Sequence, residues 1–448
     1  MMKFFDERKP WVLPAAVAVL TFICHLTFGI WFWTASPTHA PKTTAKLSGE
    51  EFLASYPDWN TDHEGDGAFY NRGAVEALRT GVPRTRSGLF LDHAPLYAYF
   101  LAACYKLGGL RLLAFAGPQA ALSGLTALLV GLTASRLTSR YRGLAGFAAA
   151  SLVLINVRLA GYAGYPGPTS LLLFLFALAV WALVRARSGR SYSLFFGAMI
   201  LAVYTQAAFF IIALGVGAWA LLAFWRGREK ALLVGAIALA AFALAKPVIS
   251  LSMDRSRETH SSEAPTAVLW EANNPYYESM TAFSLWERRP GNNWSKWEIT
   301  PEQTARVNDY LQRAGGNGTQ AAWLWIRENP RDYLELCCVR FGAVLGPITG
   351  QMSRLNQMIC TVVWLLIFPA GLFGLWRLRQ TNFAALAVWV MLAQVAFETL
   401  VMAGWAPRYR LPIDLMLCAA AGMVYAAWLG GSLRGSSPVP GGTPAPAG

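Results

Sequence analysis

The chain has 448 residues, of which 55% are hydrophobic and only 14% charged, with a formal net charge of +13. Soluble domains carry about 25% charged residues, so low charge with repeated long apolar runs excludes an ordinary soluble protein and predicts a polytopic membrane protein. The Arg residues are scattered between the apolar runs instead of gathered on one face, which argues against nucleic-acid binding and for a role in setting topology.

The N-terminus, MMKFFDERKP, is basic and runs into an apolar stretch from Trp11 to Trp33. That stretch is too long for a signal-peptide core and reads as an uncleaved first span, with Ser36 to Ala40 as a weak cleavage option. The stretch from Asp62 to Gly109 follows and brings Asp62, Glu64, Asp66, Asp92 and His93 close to the first span. Asp66 opens a helical pattern carried by Phe69, Tyr70, Ala74, Ala77 and Leu78, and Gly81 closes it. An Asp in a first turn caps the helix and meets the positive end of its dipole. The same fixed carboxylate suits general-base work on a hydroxyl. Asp62 and Glu64 are rivals, and mutual repulsion within the cluster raises the pKa of at least one member. His93 stands in DHAPLY, where it reads as a structural histidine, a functional one, or a partner of Asp92.

Spans of about 20 apolar residues are predicted at 11–33, 112–135, 144–163, 168–185, 191–204, 207–225, 231–252, 357–376, 382–403 and 411–431. The apolar helix after Pro95 ends at Lys106, too short to cross, and reads as re-entrant or interfacial; a full crossing is the alternative. Arg136, Arg140 and Arg142 form one cluster, Arg185, Arg187 and Arg190 a second, Arg226, Arg228 and Lys230 a third, and Arg377 with Arg379 a fourth. With about ten spans and the N-terminus inside, all four fall on the inner side.

The predicted organisation is therefore a transmembrane module over 1–252 with a first outer loop at 34–110 and an outer loop domain over 253–356. C-terminal transmembrane helices follow over 357–431, then a Gly/Pro-rich disordered tail over 432–448. Within the second outer region, helices are predicted near 301–314, with Pro301 at its first position, and over 319–345. Its Trp270, Tyr276, Tyr277, Trp286, Trp294 and Trp297 suit stacking on sugar rings or an aromatic belt at the interface.

Cations near the predicted outer face form the other constellation. Arg158 and Lys246 lie toward outer span ends, and Arg408 and Arg410 lie in WAPRYRLP at the start of the last span. An Arg fork binds two phosphate oxygens, while snorkelling to lipid headgroups is the plainer use of such residues. No Asp or Glu occurs between Asp92 and Glu229, so the spans are read as lacking a carboxylate chain for transport and an acidic metal cluster. Cys24, Cys104, Cys337, Cys338, Cys360 and Cys418 show no metal-binding spacing and read as small apolar residues.

Three stretches give the chain a family likeness: Asp66, Tyr70, Ala74 and Leu78; His93-Ala94-Pro95-Leu96-Tyr97; and Arg408-Tyr409-Arg410-Leu411-Pro412. With NNPYY and AAWLWIRENPRDYLEL between them, the chain resembles the membrane glycosyltransferases of the C superfold. The nearest branch contains the dolichyl-phosphate-mannose protein mannosyltransferases and lipid A aminoarabinose transferases. The resemblance implies an all-α polytopic fold in a bacterial inner membrane. It implies a polyprenyl-phosphate-linked sugar donor and a lipid, protein or glycan acceptor. Asp66 then matches the acid that serves the acceptor, Arg408 a cation near the donor phosphate, with Arg410, Lys246 and Arg158 as further phosphate contacts. Tyr70, His93 and Tyr97 would line the acceptor or sugar. The chain departs from the pattern at Gly67, at GYAGYPGPT and at Thr205-Gln206. No metal ligand is assigned and a divalent metal stays open, as do a transporter or flippase for lipid-linked sugar and a non-catalytic relative in envelope glycan assembly.

Overall fold

The computed structural model describes residues 9–35, 66–85, 88–89, 95–186, 189–206, 208–227, 229–254, 269–270, 273–274, 301–347, 354–401 and 409–430. It is an all-α polytopic membrane fold with a single two-residue β-ladder among the described residues. In order, the helices are α1 (Val12–Ala35), α2 (Asp66–Thr80), α3 (Pro95–Gly108), α4 (Leu112–Leu137), α5 (Arg142–Leu154), α6 (Val157–Gly164), α7 (Thr169–Val184) and α8 (Gly189–Thr205). They continue with α9 (Phe209–Gly227), α10 (Lys230–Asp254), α11 (Pro301–Arg313), α12 (Gly318–Glu328), α13 (Pro330–Leu345), α14 (Arg354–Arg377), α15 (Asn382–Leu400) and α16 (Leu411–Leu429). Strands β1 (Arg84–Thr85) and β2 (Gly88–Leu89) pair antiparallel, Arg84 opposite Leu89.

All ten predicted spans coincide with helices, but they are not equal. Among the described residues, six helices are long and apolar enough to cross a membrane: α1, α4, α9, α14, α15 and α16. A seventh crossing results if α5 and α6 are one span, bent by 59°. The sequence predicts one span over 144–163. The break falls at Ile155 and Asn156, where the Asn156 side chain accepts from the Arg158 amide and starts a new helix. The predicted 319–345 helix is also two helices. Pro330 has no amide hydrogen to donate and pushes Asn329 out of the helical region, so α12 ends and α13 begins there.

The chain divides into two compact units. The first draws on Met1–Ser256, Leu365–Val390 and Leu411–Gly448. Within it α1 packs on α4, α5 and α6, α16 on α5, α7 on α4 and α8, and α10 on α8 and α9. Ala419, Ala420, Ala421 and Gly422 of α16 are buried, small residues that let helix backbones approach closely. The outward surface is apolar instead: Val19, Leu20, Ile23 and Trp31 on α1 and Leu214, Leu221 and Trp225 on α9 are exposed. In water such a surface would be a liability, and in lipid it is the solvated face. The second unit draws on Arg257–Trp364 and Met391–Arg410. Its core gathers Trp270, Val307, Tyr310, Trp325 and Leu336 from α11, α12, α13 and the segment before them.

Candidate active site

Helix α2 is short and amphipathic, and its apolar stripe decides where Asp66 stands. Tyr70, Asn71, Ala74, Val75 and Ala77 are buried at helical spacing, while Arg79 and Thr80 are exposed. Gly81 ends the helix at φ 80°, a conformation that costs other residues a steric clash. The buried stripe packs on α3, where the rings of Tyr70 and Tyr97 meet edge to face at 5.1 Å. Further along the same interface, the Tyr105 hydroxyl donates to Asn71 Oδ1.

A buried polar network continues from this contact. The Tyr97 hydroxyl donates to Gln119 Oε1 at 2.9 Å. Gln119 Nε2 donates to the carbonyls of Tyr165 at 2.9 Å and Ala163 at 3.3 Å. The Tyr165 hydroxyl then accepts from the backbone amide of Gly67 at 2.7 Å. The network therefore returns to α2 at the residue after Asp66. Tyr97 and Gln119 have no exposed surface, and in such a low-dielectric setting each unmade hydrogen bond is costly.

Of the ten residues singled out from the sequence, the structure brings together Tyr70 and Tyr97, with Asp66 opening the same helix as Tyr70. Arg158 is buried at the start of α6, and Tyr165 caps the other end of that helix. At 1.5 Å per residue the two backbone positions lie roughly 10 Å apart. Lys246 lies in α10, but its side chain and that of Asp66 are outside the described residues, as are Asp62, Glu64, His93 and Arg408. Asp92, the aromatics Tyr276, Tyr277, Trp286, Trp294 and Trp297, and the tail over 432–448 also fall outside them.

Arg410, in the second unit, has a use that the sequence does not announce. It is buried, and its Nη1 donates to the carbonyls of Val344 and Gly346 at the end of α13. These are orphan carbonyls at the negative end of a helix dipole, a site that a cation satisfies. In the same unit the buried Arg340 of α13 donates to Asn273 Oδ1 at 2.9 Å and to the Thr399 carbonyl.

The reading of the spans as lacking carboxylates needs correction. Glu398, in the last turn of α15, and Asp414, in the first turn of α16, are both buried, and Gln394 Nε2 donates to Glu398. Both stand in plain sight within the predicted spans 382–403 and 411–431. The stretch from Asp92 to Glu229, on which the expectation rests, stops short of them. Among the described residues, no three His, Cys, Asp or Glu side chains gather as metal ligands.

No family model and no curated protein matches the chain. Solved structures do. The Archaeoglobus fulgidus oligosaccharyltransferase tethered to an acceptor peptide containing the NVT sequon is 13% identical, with TM-score 0.50 over 96% of this chain and 50% of that one. The same organism's oligosaccharyltransferase AglB, in complex with an inhibitory peptide and a dolichol-phosphate, is 13% identical, with TM-score 0.49 over 92% and 50%. ArnT from Cupriavidus metallidurans bound to undecaprenyl phosphate is 12% identical, with TM-score 0.39 over 92% and 77%. The first match shows a shared fold, the one that the resemblance to the C superfold implies. The chain spans about half the length of that oligosaccharyltransferase.

Proposed function

We propose that the chain is an inverting glycosyltransferase that moves a sugar from a polyprenyl-phosphate-linked donor to an acceptor hydroxyl. The site is taken to lie on the outer side of a bacterial inner membrane, with the N-terminus cytoplasmic. The observation that carries this reading is the docking of the Asp66 helix start. The peptide just after Asp66 is held by Tyr165, and Tyr70 one turn on is held by Tyr97, in a fold shared with an oligosaccharyltransferase. A general base has to be held in place if its carboxylate is to meet one hydroxyl repeatedly.

In the proposed reaction Asp66 takes the proton of the acceptor hydroxyl as that oxygen attacks the anomeric carbon. The bond from the anomeric carbon to the phosphate oxygen breaks, configuration inverts, and polyprenyl phosphate leaves. The leaving group is already an anion, so fixed cations can replace a general acid. Arg408 is assigned this role, with Lys246 or Arg158 as the second contact. Their charge counts for more in a partly dry site than in water. Arg410, whose Nη1 serves the carbonyls of α13, is assigned as a further phosphate contact.

One observation favours a second reading, a carrier for lipid-linked sugar: ionisable groups are buried within α15 and α16. Glu398 and Asp414 lie in terminal turns and not at the middle of their helices, however, which suits anchoring of helix ends better than a transport path.

The experiment that tests the proposal profiles lipid-linked sugars and envelope glycans by mass spectrometry in wild-type, deletion and Asp66→Asn cells. The expected result is loss of one sugar from an acceptor, with its lipid-linked donor accumulating in both mutants and the Asn variant still inserted in the membrane. A change in the deletion alone would remove Asp66 as the base and move weight to Asp62, Glu64 or the carrier reading. Arg408→Ala is expected to weaken donor binding, and unchanged donor affinity would end its assignment.

A further inference from the structure

We infer that Tyr165 is a positioning residue for Asp66, acting through the Gly67 amide. This inference rests on the proposed role of Asp66 as base. The amides in the first turn of a helix have no partner within it and are ordinarily met by a capping side chain or water. Here the Gly67 amide is met by a hydroxyl 98 residues away in sequence.

The approach needs Gly67. A Cβ at that position would stand 2.9 Å from Cζ and the hydroxyl oxygen of Tyr165, and 3.2 Å from Pro166. Any side chain would therefore push Tyr165 off the helix start. Tyr165 is itself fixed, because its carbonyl accepts from Gln119, and Gln119 also holds Tyr97. Tyr97 packs on Tyr70, which lies one turn beyond Asp66 on the same helix. The contacts thus form a closed ring through Gly67, Tyr165, Gln119, Tyr97 and Tyr70. Helix α2 is tied at two successive turns, so it can neither slide along its axis nor turn about it without breaking one tie. A purely structural anchor for α2 could act anywhere along the buried stripe, as Asn71 and Tyr105 do. Tyr165 acts on a peptide bonded directly to the proposed base.

The test uses full-length protein in membranes of the deletion strain, with the lipid extract of that strain as donor and product read by mass spectrometry. Tyr165→Phe keeps the ring and removes the acceptor oxygen. Its maximal rate is expected to fall roughly ten- to hundred-fold, because a misplacement of about 1 Å in a reacting group costs on that order. The extract concentration giving half-maximal rate is expected to stay within about threefold, because the interaction acts on the reacting group and not on donor binding. Asp66→Glu already moves the carboxylate, so adding Tyr165→Phe to it is expected to cost less than about threefold more, the non-additivity of groups acting as one. Gly67→Ala, which favours the helix yet displaces the ring, is expected to lose rate in the same way and serves if Tyr165→Phe fails to insert.

A wild-type maximal rate in Tyr165→Phe or Gly67→Ala would overturn the inference while leaving Asp66 as base. So would a fold-loss from Tyr165→Phe that is the same with Asp66→Glu present as without it. Full activity of Asp66→Asn would instead take down the base assignment and this inference with it.

Discussion

Gln119 illustrates how much of the site depends on one buried side chain. It is fully buried, and its amide serves the Tyr97 hydroxyl and two carbonyls at once. Gln119→Leu would leave these three groups without that partner. The expected cost is about 1–3 kcal/mol of stability, the penalty for orphaned buried polar groups. Asn71 makes one such bond, to Tyr105, while its Nδ2 has no partner among the described residues. Asn71→Leu should therefore cost less than Gln119→Leu when both are unfolded thermally in detergent; the reverse order would show that the network is not what secures α2. Tyr70 can be found from sequence by its helical spacing, and Tyr97 by the family-like stretch in which it stands. Gln119 and Tyr165 cannot, since their roles come from hydrogen bonds across 46 and 98 residues. Gln119 looks like an isolated polar residue in an apolar run, and Tyr165 like one aromatic in a turn.

At the scale of elements, apolar length predicts where helices lie but not their continuity. Helix α5 ends and α6 begins inside one apolar run because a side-chain cap at Asn156 interrupts the main-chain ladder, and hydropathy does not register such a cap. The pair α11 and α12 is different: its core of Tyr310, Trp325 and their neighbours is apolar, but its closure is charged. Arg313 forms an ion pair with Glu328, whose carboxylate also accepts from Tyr310 at 3.0 Å. The hydrogen bond from Arg313, then that from Tyr310, holds the Glu328 carboxyl below its ordinary pKa. A depressed carboxylate contributes stability that is present above its unfolded value, about 4.3 for Glu, and is lost as pH falls through the folded value. Amide protection of α11 and α12 in the full chain, corrected for intrinsic exchange, should therefore fall as pH drops below about 4.3. Glu328→Gln should flatten that dependence. Both side chains are more than a third exposed, so the effect belongs to local opening and not to the whole chain. An identical slope in the Gln variant would assign the pH effect elsewhere.

The whole molecule carries its orientation in where its cations stop. Arg136 and Arg142 flank the α4–α5 connection, Arg185 and Arg190 the α7–α8 connection, Arg226 and Lys230 the α9–α10 connection, and Arg377 and Arg379 the α14–α15 connection. The connections between them, at 165–168 after α6 and at 206–208 after α8, carry no charge. From α4 to α10, cationic and neutral connections thus alternate, as inner and outer ones should. Counted from a cytoplasmic N-terminus, the cationic set is the inner one only if α3 does not cross. Its 14 residues span roughly 21 Å, against about 30 Å of hydrocarbon. Single cysteines placed at Thr138, Ser188, Glu229 and Thr381 in a cysteine-free background should then all resist an impermeant thiol reagent added to intact cells and react once the membrane is opened. A cysteine at Gly167 should react from outside. If Thr138 and Glu229 instead both label from outside, α3 crosses. The first outer loop and the turn at Tyr165 would then no longer be assigned to one side by the charges. The contact between Gly67 and the Tyr165 hydroxyl requires that they share a side, so labelling of Gly167 from outside and Thr138 only from inside is the result under which topology and site agree.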